Sequence, residues 1–169
     1  LEGTSDAESR LRLAVALWRF WWLRGYLSEG RGWLERALAG ATGLAPVIQA
    51  RAHRGAGILA ESQGDYARAT VLHEASLDYA RQAEDQIATA SSLTDLGIIA
   101  RIQGDYDQAH ERQEEALVIW RALGDGPGMN SSLYELGRIA LERGDYAAAA
   151  ELLEQCLELA SAAGDASAL

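Results

Sequence analysis

The chain predicts an all-α fold built from repeated helix–turn–helix units, and three observations carry that expectation. Gly64-Asp65-Tyr66, Gly104-Asp105-Tyr106 and Gly144-Asp145-Tyr146 recur every 40 residues, and self-similarity at a fixed period of this size marks a stacked repeat architecture. The match extends outward from each triplet to Gly57, Gly97 and Gly137, to Ala60, Ala100 and Ala140, and to Ala69, Ala109 and Ala149. Gly124-Asp125 and Gly164-Asp165 form a second periodic signal, with a degenerate Glu84-Asp85 one period earlier. Finally, no strand-length window alternates in polarity, while 49% hydrophobic residues, rich in Ala and Leu, suit packed helices.

The first unit, residues 7–40, is degenerate. Trp18 stands where later units have the helix-A glycine, and Gly25-Tyr26 and Gly30 replace Gly-Asp-Tyr and Ala. Leu34 and Ala37 keep its second helix in register. The second unit, 44–84, carries His53, Ala56-Gly57, Ala60 and Ala69. The third, 85–124, shows the logic most plainly. Asp85 caps a helix expected to run from Ile87 to Gln103, with Leu93, Leu96, Gly97 and Ala100 as its buried stripe. Gly104 supplies the left-handed stop, and Asp105 with Gln108 supplies an approximate capping box for a second helix from Tyr106 to about Leu123. A glycine inside a helix costs about 1 kcal/mol relative to alanine, so Gly97 needs a reason; it is expected to face Ala109 where the two helices cross closely. The fourth unit, 125–164, repeats this with Leu133, Leu136-Gly137, Ala140 and Ala149, its last helix ending near Ala163. Residues 1–6 are expected to be extraneous leader or disordered, and residues 166–169 to be the truncated start of a further repeat.

The arrangement resembles the tetratricopeptide repeat (TPR), whose large residue, Leu-Gly, small residue and Ala are met by Leu93, Leu96-Gly97, Ala100 and Ala109. That resemblance covers about residues 7–165 and implies a right-handed TPR solenoid of four repeats. The closing Pro of the family is missing, and 40 residues replace the commoner 34, so each helix should be longer by most of a turn. More narrowly, Trp18 through Gly30, followed by Trp33-Leu34-Glu35-Arg36-Ala37-Leu38, resembles the start of the TPR region in bacterial STAND-class signal-transduction ATPases and LuxR-type regulators. It implies a cytoplasmic sensor or interaction arm of a larger protein. The alternative is a free-standing peptide-binding adaptor, like the 40-residue TPR scaffolds of polarity and motor-cargo proteins.

Composition narrows the partners. A net charge of −10 argues against nucleic-acid binding by this segment, since phosphate neutralisation needs clustered cations. All 15 basic residues are Arg, so no Gly-x-x-x-x-Gly-Lys phosphate loop exists in it. Cys156 is the only cysteine, which excludes an internal disulfide, and it takes the small-residue position of Ala116. His53, His73 and His110 each stand alone, without metal-ligand spacing. No catalytic constellation, metal site or cofactor is expected. Trp18, Trp21 and Trp22 fit core and a contact surface better than a ligand cage.

One constellation points to binding. In TPR folds the first helix of each repeat lines the concave groove, and its non-core positions here are Arg12, Arg19, Arg51, Arg54, Thr94, Ile98, Arg101, Tyr134 and Arg138. Positive charge there suits an acidic peptide or a small anionic inducer. A solvated face ion-paired to Glu61, Asp95, Glu135 and Glu142 fits the same pattern equally well. Leu153, Leu157 and the Trp18–Leu23 cluster lack expected neighbours, so self-association through exposed apolar ends is also expected.

Overall fold

A computed structural model describes residues 2–41 and 43–166, and side chains within 6–41 and 43–161. Among them lie eight helices and no strand: α1 (Glu2–Arg24), α2 (Leu27–Ala39), α3 (Pro46–Ser62), α4 (Tyr66–Gln82), α5 (Gln86–Ile102), α6 (Tyr106–Leu123), α7 (Gly126–Arg143) and α8 (Tyr146–Ala166). The fold is an all-α helical repeat array. The backbone of residues 2–6 is already part of α1. At the other end, α8 continues through Gly164 and Asp165, where the repeat predicts a stop. The stop at Gly124 is backed by Asp125, which caps α7, and α7 packs on α6. No such helix follows Gly164 among the described residues, and an interior glycine alone costs too little to end a helix. Apart from Ala166, the segment expected to open a further repeat lies outside the described residues.

The chain forms two compact units, Leu1–Ser92 and Leu93–Leu169, with α5 contributing to both. In the first, α1 packs on α2, both pack on α3, and α3 pairs with α4. In the second, α7 packs between α6 and α8.

The joints obey the expected turn chemistry. Gly64, Gly104 and Gly144 adopt φ of 75°, 83° and 80°, the left-handed region that lets a helix stop. Asp65, Asp105 and Asp145 then accept the backbone N–H of Arg68, Gln108 and Ala148 at 3.1–3.2 Å, each satisfying one orphan donor of the next helix. Asp85 and Asp125 do the same for Ala88 and Gly128. At Glu84 the degenerate repeat takes the same geometry without a glycine, with φ of 53°. A side chain in that region carries a cost of about 1–2 kcal/mol.

The helix crossings correct one expectation. A Cβ placed on Gly97 would meet not Ala109 but Gln113, at 2.6 Å from its amide nitrogen. One period earlier a Cβ on Gly57 would meet His73 at 2.6 Å, and one period later Gly137 faces Leu153 at 3.1 Å. Each glycine therefore opens a slot for a large side chain one helical turn beyond the alanine. Ala109 packs instead with Ala100 and Ile139, and Tyr106 closes that cluster near the turn. In the first hairpin the sizes are exchanged: Gly30 of α2 makes room for Trp21 of α1, at 2.6 Å from a built Cβ. Cys156 is core filler, buried with Leu117, Leu133 and Leu136. Desolvation pushes its thiol pKa up, away from a reactive thiolate.

Candidate interaction surface

The sequence-predicted surface separates into residues that are engaged and residues that are presented. On α1, Arg12 is exposed and ion-paired to Glu8 at 2.7 Å, and Arg19 lies over the Trp18 ring at 5.4 Å. On α3, Arg51 is exposed and Arg54 half-buried. They line one recess of about 220 Å³ in the first unit, together with Asp85, Ile87, Ala88 and Ser91 at the start of α5. Ile87 is exposed there, and one Asp85 carboxylate oxygen is committed to the Ala88 N–H. The floor is polar but satisfied. Ser76 of α4 donates to the Ala50 carbonyl at 2.9 Å, so the Ser92 hydroxyl donates to Ser76 in turn, at 2.8 Å.

In the second unit the charges are largely spent internally. Arg101 is only 7% exposed; its Nε donates to Glu135 at 2.8 Å and its Nη1 to Glu142 at 2.8 Å. Burial alone would lower its pKa, but hydrogen bonding and charge from the two carboxylates outweigh that and hold the guanidinium above its ordinary value. Glu135 also draws Arg138, at 3.4 Å, and Arg138 lies over the exposed Tyr134 ring at 5.8 Å. Thr94 is buried, its carbonyl accepting from Gln113, and Ile98 is half-buried. Tyr134 and Arg138 thus stand together at the surface, whereas Arg101 is a structural cation. Arg101 is thus ion-paired to Glu135 and Glu142, and Arg51 is exposed.

Ile87, Ala88 and Ser91 were not legible as wall residues. Ser91-Ser92 recurs as Ser131-Ser132 and reads as a feature of the repeat. In fact the two serines divide the work: Ser92 is buried in the hydroxyl chain and Ser91 lines the recess. The available signal was Ile87, which breaks the repeat pattern, with Val47 and Pro127 at the equivalent positions. Among the described residues no group of three or more His, Cys, Asp or Glu could hold a metal ion, and no helix is long and apolar enough to cross a membrane.

The hairpin geometry, glycine stops and aspartate caps meet an independent observation. The tetratricopeptide repeat profile matches residues 48–122 and again 89–162. The chain belongs to the tetratricopeptide repeat family. This tetratricopeptide array also resembles solved structures. BtubC (BKLC) from P. vanneervenii superposes with a TM-score of 0.86 at 18% identity, over 94% of this chain and 66% of that one. The apo form of RapI gives 0.85 at 16% identity, over 93% and 58%. The Rap conjugation gene regulator of plasmid pLS20, in complex with the Phr* peptide, gives 0.76 at 12% identity, over 93% and 44%. The array therefore spans about half to two thirds of the length of these chains, and at such identities the likeness shows the fold alone. No curated protein matches the chain in sequence.

Proposed function

We propose that this tetratricopeptide array binds a protein or peptide partner through an acidic side chain received at Arg51 and Arg54. The observation that carries the reading is the recess of the first unit. It places an exposed guanidinium beside an apolar wall, Ile87 and Ala88, in a chain of net charge −10. A carboxylate gains charge-assisted hydrogen bonds there, while the adjoining residue of an extended peptide covers Ile87. Tyr134 with Arg138 offers a second, flat contact in the other unit, of the kind that aromatic and Arg anchors make at interfaces. Support from fold comes from the Rap conjugation gene regulator, a structure of similar fold in complex with the Phr* peptide.

The larger setting we infer is a cytoplasmic sensor arm of a bacterial STAND-class ATPase or LuxR-type regulator, on the strength of the Trp18–Leu38 resemblance. A phosphate-binding loop encoded in the same reading frame would support it, and a gene encoding the array alone would remove it.

Binding is tested by titrating an acidic peptide, and its Asn/Gln counterpart, into the wild type and into Arg51→Glu and Arg51→Ala/Arg54→Ala variants. Wild type should bind the acidic peptide preferentially and lose it as salt rises, and both variants should lose binding while melting as wild type. Equal binding by the Arg51→Glu variant would overturn the proposal.

A further inference from the structure

Equivalent helices of the array differ sharply in what covers them. On α6, Leu117 is 1% exposed, packed against Leu133 and Leu136 of α7. Forty residues later on α8, Leu157 is 68% exposed. It belongs to a stripe of Tyr146, Ala150, Leu153 and Leu157, spaced as one helix face. Glu151, Glu154 and Glu158 flank that stripe, all exposed, and α8 carries no basic residue at all. Among the described residues, the face that elsewhere receives the first helix of the next hairpin is here apolar, acid-rimmed and open.

The start of the chain shows the reciprocal face. On α7, Ile139 is 1% exposed because it packs on Ala100 and Ala109 of the preceding hairpin. Its counterpart on α1, through the repeat register, is Phe20, which is 48% exposed. Beside it, α1 and α2 enclose an apolar groove of about 310 Å³, walled by Leu13, Leu17, Trp21 and Trp33, with Arg10 and Arg36 at its rim. Arg10 is held only by an exposed pair with Asp6, worth little, and Arg36 lies over the exposed Trp33 ring at 5.2 Å.

We propose that α8 of one copy docks on the α1–α2 face of a second copy, so that the chain associates head to tail. The Leu157 stripe would then fill the groove as Leu117 fills its contact with α7, and Glu154 and Glu158 would meet Arg10 and Arg36. Three features favour a second copy as the occupant. The two open faces are the complementary halves of a contact the array already makes internally, their rims carry opposite charge, and both lie on every molecule. Such a contact is heterologous, each copy offering one face of each kind, so oligomers should grow with concentration.

Sedimentation velocity on the full chain over a dilution series tests this with two exposed-site variants, Leu13→Glu in the groove and Leu157→Glu on α8. Wild type should sediment as a concentration-dependent ladder, and each variant alone should stay monomeric. Mixed in equal amounts, the variants should form a 1:1 heterodimer and nothing larger, because each keeps one working face. In a second arm, reversing Arg10 and Arg36 to Glu should weaken association at least about tenfold. Reversing Glu154 and Glu158 to Arg in the same chain should restore it. Wild type that remains monomeric, a single variant that still associates, or a mixture that stays monomeric would each overturn the proposal, as would charge reversal without rescue.

Discussion

At Gly97 and Gly137 one residue type meets different opposing side chains, and the two should respond differently to the same substitution. Gly97→Ala drives a methyl group into Gln113, whose amide is tied to the Thr94 carbonyl at 3.0 Å. We expect a loss of about 1–3 kcal/mol, recovered in the Gly97→Ala/Gln113→Ala double variant. Gly137→Ala meets half-buried Leu153 at 3.1 Å, with Leu152 at an ordinary 3.6 Å, so the gain in helix propensity of up to about 1 kcal/mol should offset the contact. Equal losses in urea melts would dismiss the slot argument. At Glu84 the left-handed backbone predicts that Glu84→Gly stabilises the first unit by roughly 0.5–1 kcal/mol. A lower melting temperature for that variant would show that the strain is relieved some other way.

From α4 to α7 the helices begin and end by chemistry that is local in sequence, which is why their bounds could be read from it, whereas α8 runs past its Gly164-Asp165 signal. Tyr106 to Leu123 was expected for α6 and is observed, because Gly104, Asp105 and Gly124 fix both ends without help from elsewhere. Asp105→Ala and Asp145→Ala should each cost about 1 kcal/mol, seen as lower melting temperatures with unchanged helicity at 20 °C or so. What faces what across a hairpin was not legible. The choice between Ala109 and Gln113 opposite Gly97 depends on the rotation of two helices about their axes, which a 40-residue period leaves undetermined. Arg101 shows the same limit: a surface position by periodicity is buried because Glu135 and Glu142 arrive from the next repeat to pair with it. Removing Arg101 leaves buried Glu135 with only its longer pair to Arg138, while exposed Glu142 returns to water. Arg101→Ala should therefore destabilise by about 1–3 kcal/mol, whereas Arg51→Ala should leave the melt unchanged; the reverse order would exchange their roles.

At the scale of the whole molecule, a histidine in the first unit should couple stability to pH. His53 stacks on Tyr79 at 5.3 Å and its Nδ1–H donates to the Gln49 carbonyl at 2.8 Å. Burial, ahead of any other influence, lowers its pKa below the ordinary 6.5, so the folded state favours the neutral ring. The unfolded chain then binds the proton first. Stability contributed by His53 is complete above about pH 6.5 and is lost as pH falls through the lower folded-state value. Melts of wild type should weaken over that interval and those of His53→Gln should weaken less; parallel curves would assign the effect to another group. One feature of the hairpins also sets how such melts can be observed. Trp120 stacks on Gly128 in the second unit, whereas Trp18, Trp21, Trp22 and Trp33 all lie in the first. The indoles thus number four to one in favour of the N-terminal half, and a chain keeping only Trp120 would report the other half alone. Comparing the two traces would reveal whether the array melts as one body or as two.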